Sequence, residues 1–141
     1  MKQEFSTHWL SSKQPRKQRK YLANAPLHTK HKFLSSPLSK ELRKKHGKRS
    51  SPLRKGDEVL VMRGSFKKKK AKVAEVGLKR SRVSLENIQR AKKDGTKLNV
   101  WFAPSKLQIQ VLNLDDKKRM SSLAKKDTKG KQNAPKKTSS N

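Results

Sequence analysis

The side chains with the most chemistry to offer in this sequence are cations, and what they offer is phosphate binding. Lys67, Lys68, Lys69 and Lys70 stand side by side. Arg63 precedes them, and Lys79, Arg80 and Arg82 follow a short way on. Nearer the start, Lys13, Arg16, Lys17, Arg19 and Lys20 lead up to Tyr21. His28, Lys30 and Lys32 come next, then Arg43, Lys44, Lys45, Lys48, Arg49 and Arg54. Ammonium and guanidinium groups neutralise phosphates and release condensed counterions, which drives nucleic-acid binding. Arginine forks two hydrogen bonds onto one phosphate and so anchors better than lysine.

In an ordinary protein such runs are solvated faces. The totals decide otherwise here: 39 Lys and Arg oppose 10 Asp and Glu, a net charge of +29 on 141 residues. A compact chain with that surplus repels itself, so a polyanion is the expected partner. The charge runs from Lys13 to Lys137, which favours a protein embedded in nucleic acid over one with a single basic patch. Aromatic residues are 5%, too few for base stacking to dominate affinity. Tyr21 and Trp9 either stack on unpaired bases or pack against the folded part of the chain.

Other chemistries lack their residues. With no cysteine there is no disulfide, thiolate zinc site or iron–sulfur cluster. His28 and His31 have a spacing found in metal sites, and His8 and His46 are also present, but no carboxylate cluster completes a ligand set. No metal and no cofactor is expected. There is no nucleophile elbow and no nucleotide-hydrolase phosphate loop. Asp57 and Glu58 adjoin on a strand and face opposite ways, which is wrong for a paired acid and base; Asp57 is expected to bond turn amides. No enzyme activity, small-molecule substrate or membrane span is expected. Residues 1–10 lack a signal peptide's apolar stretch, so a cytoplasmic location is expected.

Three textures divide the chain: a basic arm at 1–52, a Val/Ile/Leu-rich middle at 53–114, and a basic tail at 115–141. In the arm, one helix is expected from Pro15 to Ala23. A second is expected with Ser36 as N-cap, Pro37 in the first turn and Gly47 after the last. Ala25-Pro26-Leu27-His28 between them is expected to be extended. Neither helix has enough apolar surface to stand alone, so the arm is expected to be disordered in the free protein. The middle reads as five strands. Val59 and Val61 alternate with Leu60 and Met62. Val73 and Val76 differ in parity, which predicts a bulge. Val83 and Leu85 form a third pattern, then Asp94-Gly95 turns a hairpin. Leu98, Val100 and Phe102 return, Pro104 interrupts, and Leu107, Ile109 and Val111 finish. Phe102 is expected in the core. That leaves Trp101 exposed, as an RNA or protein contact or as an ordinary edge residue. The fold class is mainly β, a small barrel of short strands. The tail is expected to open with a short helix capped by Asp115, reaching about Lys125, and to be flexible beyond Asp127.

The segment Lys55-Gly56-Asp57-Glu58-Val59-Leu60-Val61, followed by Gly64, Lys67 and Val73, resembles a KOW motif. Pro15-Arg16-Lys17-Gln18-Arg19-Lys20-Tyr21, Ala25-Pro26-Leu27-His28, Leu38-Ser39-Lys40-Glu41-Leu42-Arg43 and the stretch from Arg90 to Lys106 narrow it. Together they resemble the universal KOW-domain family of the large ribosomal subunit, number twenty-four in the bacterial count, in its archaeal/eukaryotic form. The likeness covers Ser12 to Asp116. It implies an SH3-like barrel, binding to the 5′ domain of large-subunit ribosomal RNA, a part in early assembly, a place near the peptide tunnel exit, and neighbouring ribosomal proteins as partners. One departure stands out. The family's loop reads Gly-x-x-Lys-Gly-x-x-Gly-Lys-Val, whereas Lys68 and Ala71 replace its second and third glycines. Either the loop takes another path or these residues accept strain. The alternatives are a KOW-type transcription elongation accessory factor, which normally carries a further partner-binding domain, and an architectural nucleic-acid-binding protein.

Overall fold

Five antiparallel strands curl into a small barrel, and the pattern of valines marks its inner face. The computed structural model describes residues 5–6 and 12–124. Strands β3 (Glu58–Val61), β4 (Lys70–Gly77), β5 (Arg82–Ala91), β6 (Lys97–Phe102) and β7 (Leu107–Val111) run in the order β6-β5-β4-β3-β7. Val59, Val61, Val73, Val83, Leu107 and Ile109 are fully buried, and Phe102 joins them. Register slips after Val73, where the parity change predicts a bulge. A second slip between Glu58 and Val59 moves Val111 opposite Glu58 and turns it outward, so the expected alternation stops at Ile109. Leu98 is likewise exposed, because the β5–β6 hairpin runs on past the core. At its tip Gly95 has φ +81°. Asp94 accepts from the Thr96 hydroxyl at 2.6 Å and its amide at 3.0 Å, and these bonds hold the Asp94 carboxyl below its usual pKa.

The core draws on more than the middle segment. Leu34 and Leu38 are fully buried in it, beside Leu53. A two-stranded ribbon of β1 (Ser35–Pro37) and β2 (Ser50–Pro52) brings them there, and the Ser39 amide donates to Ile109 O at 2.9 Å. The ribbon overturns one expected boundary. Ser36 does not cap a helix: its hydroxyl donates to Pro104 O at 2.6 Å, 68 residues away. Helix α3 (Lys40–His46) starts three positions later, with Ser39 accepting from the Leu42 amide and Gly47 at φ +61° closing it. Helix α1 (Pro15–Asn24) lies where the proline at its first position puts it. Extended backbone after it is confined to Ala25 and Pro26. Pro26 is itself the N-cap of α2 (Leu27–Phe33), so Leu27 and His28 are helical, not extended. Near the C-terminus, α4 (Lys117–Ala124) is capped by Asp116, whose carboxylate accepts from the Lys118 amide at 2.7 Å, and not by Asp115. The expected flexibility beyond Asp127 lies outside the described residues.

Candidate nucleic-acid interface

Helix α1 buries none of its residues, so its cations radiate outward. Arg16, Lys17, Arg19 and Lys20 are all exposed, with Lys13 just before them. Tyr21 is half-buried. Its ring centroid lies 4.8 Å from that of Phe5 and 6.0 Å from that of Phe33, so it joins α1 to α2. Trp9 lies outside the described residues. On α2, His28 and Lys32 are exposed while Lys30 donates to Ala23 O at 3.1 Å. On and after α3, Lys44, Lys45 and Arg49 face solvent. Arg43 Nε donates to Leu38 O at 2.8 Å, and Lys48 donates to Ser122 O. Lys30, Arg43 and Lys48 therefore brace the fold as well as lending it charge.

The Gly-Asp turn of the motif is a structural hub. Gly56 has φ +86°, and a Cβ there would stand 2.8 Å from Asn113 Nδ2, so a side chain there is strained and displaces Asn113. Asp57 is fully buried. Its carboxylate accepts from the Arg54 amide at 2.8 Å and the Asn113 amide at 2.9 Å, as expected of a turn residue. It also accepts both guanidinium nitrogens of Arg119, at 2.6 and 2.8 Å. The second hydrogens of the two terminal nitrogens of Arg119 go to Asn113 O and Pro52 O. One bidentate pair thus joins β2, the turn, the exit of β7 and α4. Arg119 carries no local signal; only the need of a buried carboxylate for a partner points to it. A second, exposed pair links Arg54 to Asp116. The Arg54 hydrogen bond, then the Lys118 amide, lower the Asp116 pKa. A depressed carboxylate stabilises the fold above its unfolded pKa, so this support is lost as pH falls below the ordinary carboxylate range.

The basic loop between β3 and β4 resolves the question of the missing glycines. Gly64 takes φ +98° and Lys68 takes φ +71°, so Lys68 adopts the left-handed conformation a glycine would supply. It is held there because its amide donates to Val61 O at 2.8 Å while the Val61 amide donates to Lys69 O at 2.9 Å. Ala71 needs no glycine, since it sits in β4 opposite Val59. Phe66 anchors the loop edge-on against Phe102, with centroids 6.1 Å apart, and Lys69 Nζ lies 5.4 Å over its ring. Lys67, Lys68, Lys69 and Lys70 are all exposed. Lys68→Gly should leave the melting temperature unchanged or a few degrees higher. Relief of left-handed crowding, about 1 kcal/mol, is opposed by a freer unfolded chain. Ala71→Gly should lower stability by about 0.5–1 kcal/mol, because it weakens a paired strand position. Thermal melts of the two single variants check both signs.

Lys79 and Arg80 are exposed in the β4–β5 turn, and Arg82 opens β5. Between the loop and β6 lies a cleft of about 650 Å³ whose lining includes Arg63, Phe66, Arg82, Trp101 and Phe102. Arg90 and Lys106 also line it. Charge-run reasoning missed these two, since each stands away from the long lysine runs and reaches the cleft only through strand pairing, for Arg90, or the turn at Pro104, for Lys106. Among the described residues, no group of three or more His, Cys, Asp or Glu could hold a metal ion.

A family model covering the ribosomal proteins called L26 in eukaryotes and their archaeal L24 counterparts matches residues 12–126. The chain belongs to this ribosomal protein family. Among its relatives, the "Large ribosomal subunit protein uL24" of Korarchaeum cryptofilum is 46% identical over 120 residues, covering 85% of this chain and 92% of the relative. The protein of the same name from Nanoarchaeum equitans is 47% identical over 126 residues, covering 89% and 85%. The family is structural in character, a constituent of the large ribosomal subunit.

Proposed function

We propose that this chain is held in the large subunit by direct contact with ribosomal RNA, as a structural protein without catalysis. The observation that carries the reading is the outward display of cations on independent elements. Arg16, Lys17 and Arg19 on α1, Lys44 and Lys45 on α3, Lys67–Lys70 in the loop, and Lys79 and Arg80 in the turn are all exposed. The carboxylates that form ion pairs among the described residues, Asp57 and Asp116, are taken by Arg119 and Arg54. The surplus cations therefore call for phosphates from outside. Contacts spread over separate elements suit several RNA segments converging on one protein, read by backbone and shape. In this reading the part of the arm that carries α1 and α2 threads between RNA helices, the barrel with the β1–β2 ribbon packed on it is the platform, and the tail at 115–141 adds charge. The family resemblance supports a contact with the 5′ domain, early in assembly and near the tunnel exit, with neighbouring ribosomal proteins alongside, in the cytoplasm. Competition at one salt concentration tests it. A folded large-subunit RNA fragment should displace a bound probe at several-fold lower concentration than duplex DNA of equal charge. Equal displacement would favour an architectural DNA-binding role instead.

A further inference from the structure

We propose that the cleft between the Gly64 loop and β6 seats one unpaired RNA nucleotide, an inference that rests on the RNA-binding reading and gives this part of the interface a specific ligand. Arg63, Arg82, Arg90 and Lys106 line the cleft with no carboxylate among its lining residues. All four are exposed. Its other walls are Phe66, Val100, Trp101 and Phe102. A single nucleotide matches this mixture, since it carries a flat apolar base with a phosphate on either side. A duplex does not, because its base faces are buried in the stack and it presents only backbone and groove edges. An acidic peptide would satisfy the cations but would leave the aromatic walls without a flat partner.

Trp101 is the stacking surface. It is 38% exposed. Its indole lies close over Gly77: a Cβ there would stand 3.0 Å from the indole Cζ3 and 3.2 Å from Arg82 O. One edge of the indole therefore rests against the end of β4 at Gly77. Phe66, pinned against Phe102, forms another wall at the base of the lysine loop. Phosphates on either side of the bound base then meet Arg63 and Arg82.

The test uses the full chain, a short oligoadenylate of about eight nucleotides, and an RNA duplex of equal charge. Trp101→Ala should weaken oligoadenylate binding about fivefold or more and leave duplex binding unchanged, and Trp101→Phe should restore most of the loss. A second measurement does not depend on a disruptive variant. The chain has two tryptophans, so Trp9→Phe leaves Trp101 as the reporter. Oligoadenylate should quench its fluorescence, and the duplex should not. Equal quenching by both RNAs, no quenching by either, or an equal loss of both affinities in Trp101→Ala overturns the proposal while leaving general RNA binding intact. Quenching by hexaglutamate as strong as by oligoadenylate assigns the cleft to an acidic protein segment and also overturns it. If the unaltered chain binds neither RNA, the broader reading falls together with this one.

Discussion

Raising monovalent salt from about 50 to about 200 mM should weaken binding of this chain to a large-subunit RNA fragment by about a thousandfold or more. The expectation follows from the number of cations turned outward. Each phosphate neutralised releases close to one condensed counterion, so six to ten contacts give a steep slope. Exposed cations on α1, on α3, in the lysine loop and in the β4–β5 turn are enough for that many. The exposed groups are also the ones salt screens, whereas the buried Arg119–Asp57 pair is shielded from it. Replacing Lys67, Lys69 and Lys70 together by glutamine should therefore flatten the slope by up to about three units without moving the melting temperature much. Lys68 is left out because its left-handed backbone ties it to loop stability. A salt response that is flat in the unaltered chain would mean that phosphate contact is not what binds it.

Arg119→Ala should destabilise the free protein by about 3–5 kcal/mol, because it leaves Asp57 charged, buried and without its counter-charge. For a domain of this size that is a fall of about 12 °C or more in melting temperature. Arg54→Ala, which removes the exposed pair with Asp116, should lower the melting temperature far less. The contrast is the informative part. Both variants delete one arginine and one ion pair; they differ in the burial of the pair and in the two carbonyl bonds that Arg119 also makes. A melting temperature for Arg119→Ala within about two degrees of the parent would show that α4 is not locked to the Gly-Asp turn in solution. Asp57→Asn should be nearly as damaging, because the amide keeps the shape but cannot accept four hydrogen bonds as the carboxylate does.

The contrast between α3 and the strands shows what was legible in the sequence. Strand positions follow side-chain alternation, a local property, so β3 to β7 fall where Val59, Val73, Val83, Phe102 and Ile109 put them. Even the bulge after Val73 is written in the spacing of two valines. The start of α3 is not local. Ser36 and Ser39 are equally good caps as residue types, and the choice is made by Pro104 and Ile109, whose carbonyls take Ser36 and the Ser39 amide. Pro26 misleads in a different way. The rule that a residue before proline is extended holds for Ala25, but the proline itself starts a helix. At the candidate interface, consecutive cations were legible because loops and short polar helices leave them exposed. Arg90 and Lys106 were not, since only strand pairing and the turn at Pro104 bring them to the cleft. Arg119 was the least legible, a single basic residue in a basic tail whose role depends on a carboxylate 62 positions earlier.

The most direct measurement is sedimentation of a tagged copy expressed in its own cells, with the lysate split and one half treated with ribonuclease before the sucrose gradient. The account predicts that the protein travels with the large subunit in the untreated half and leaves that position once the RNA is cut. A protein that stays at the top of both gradients, away from ribosomal particles, would contradict it.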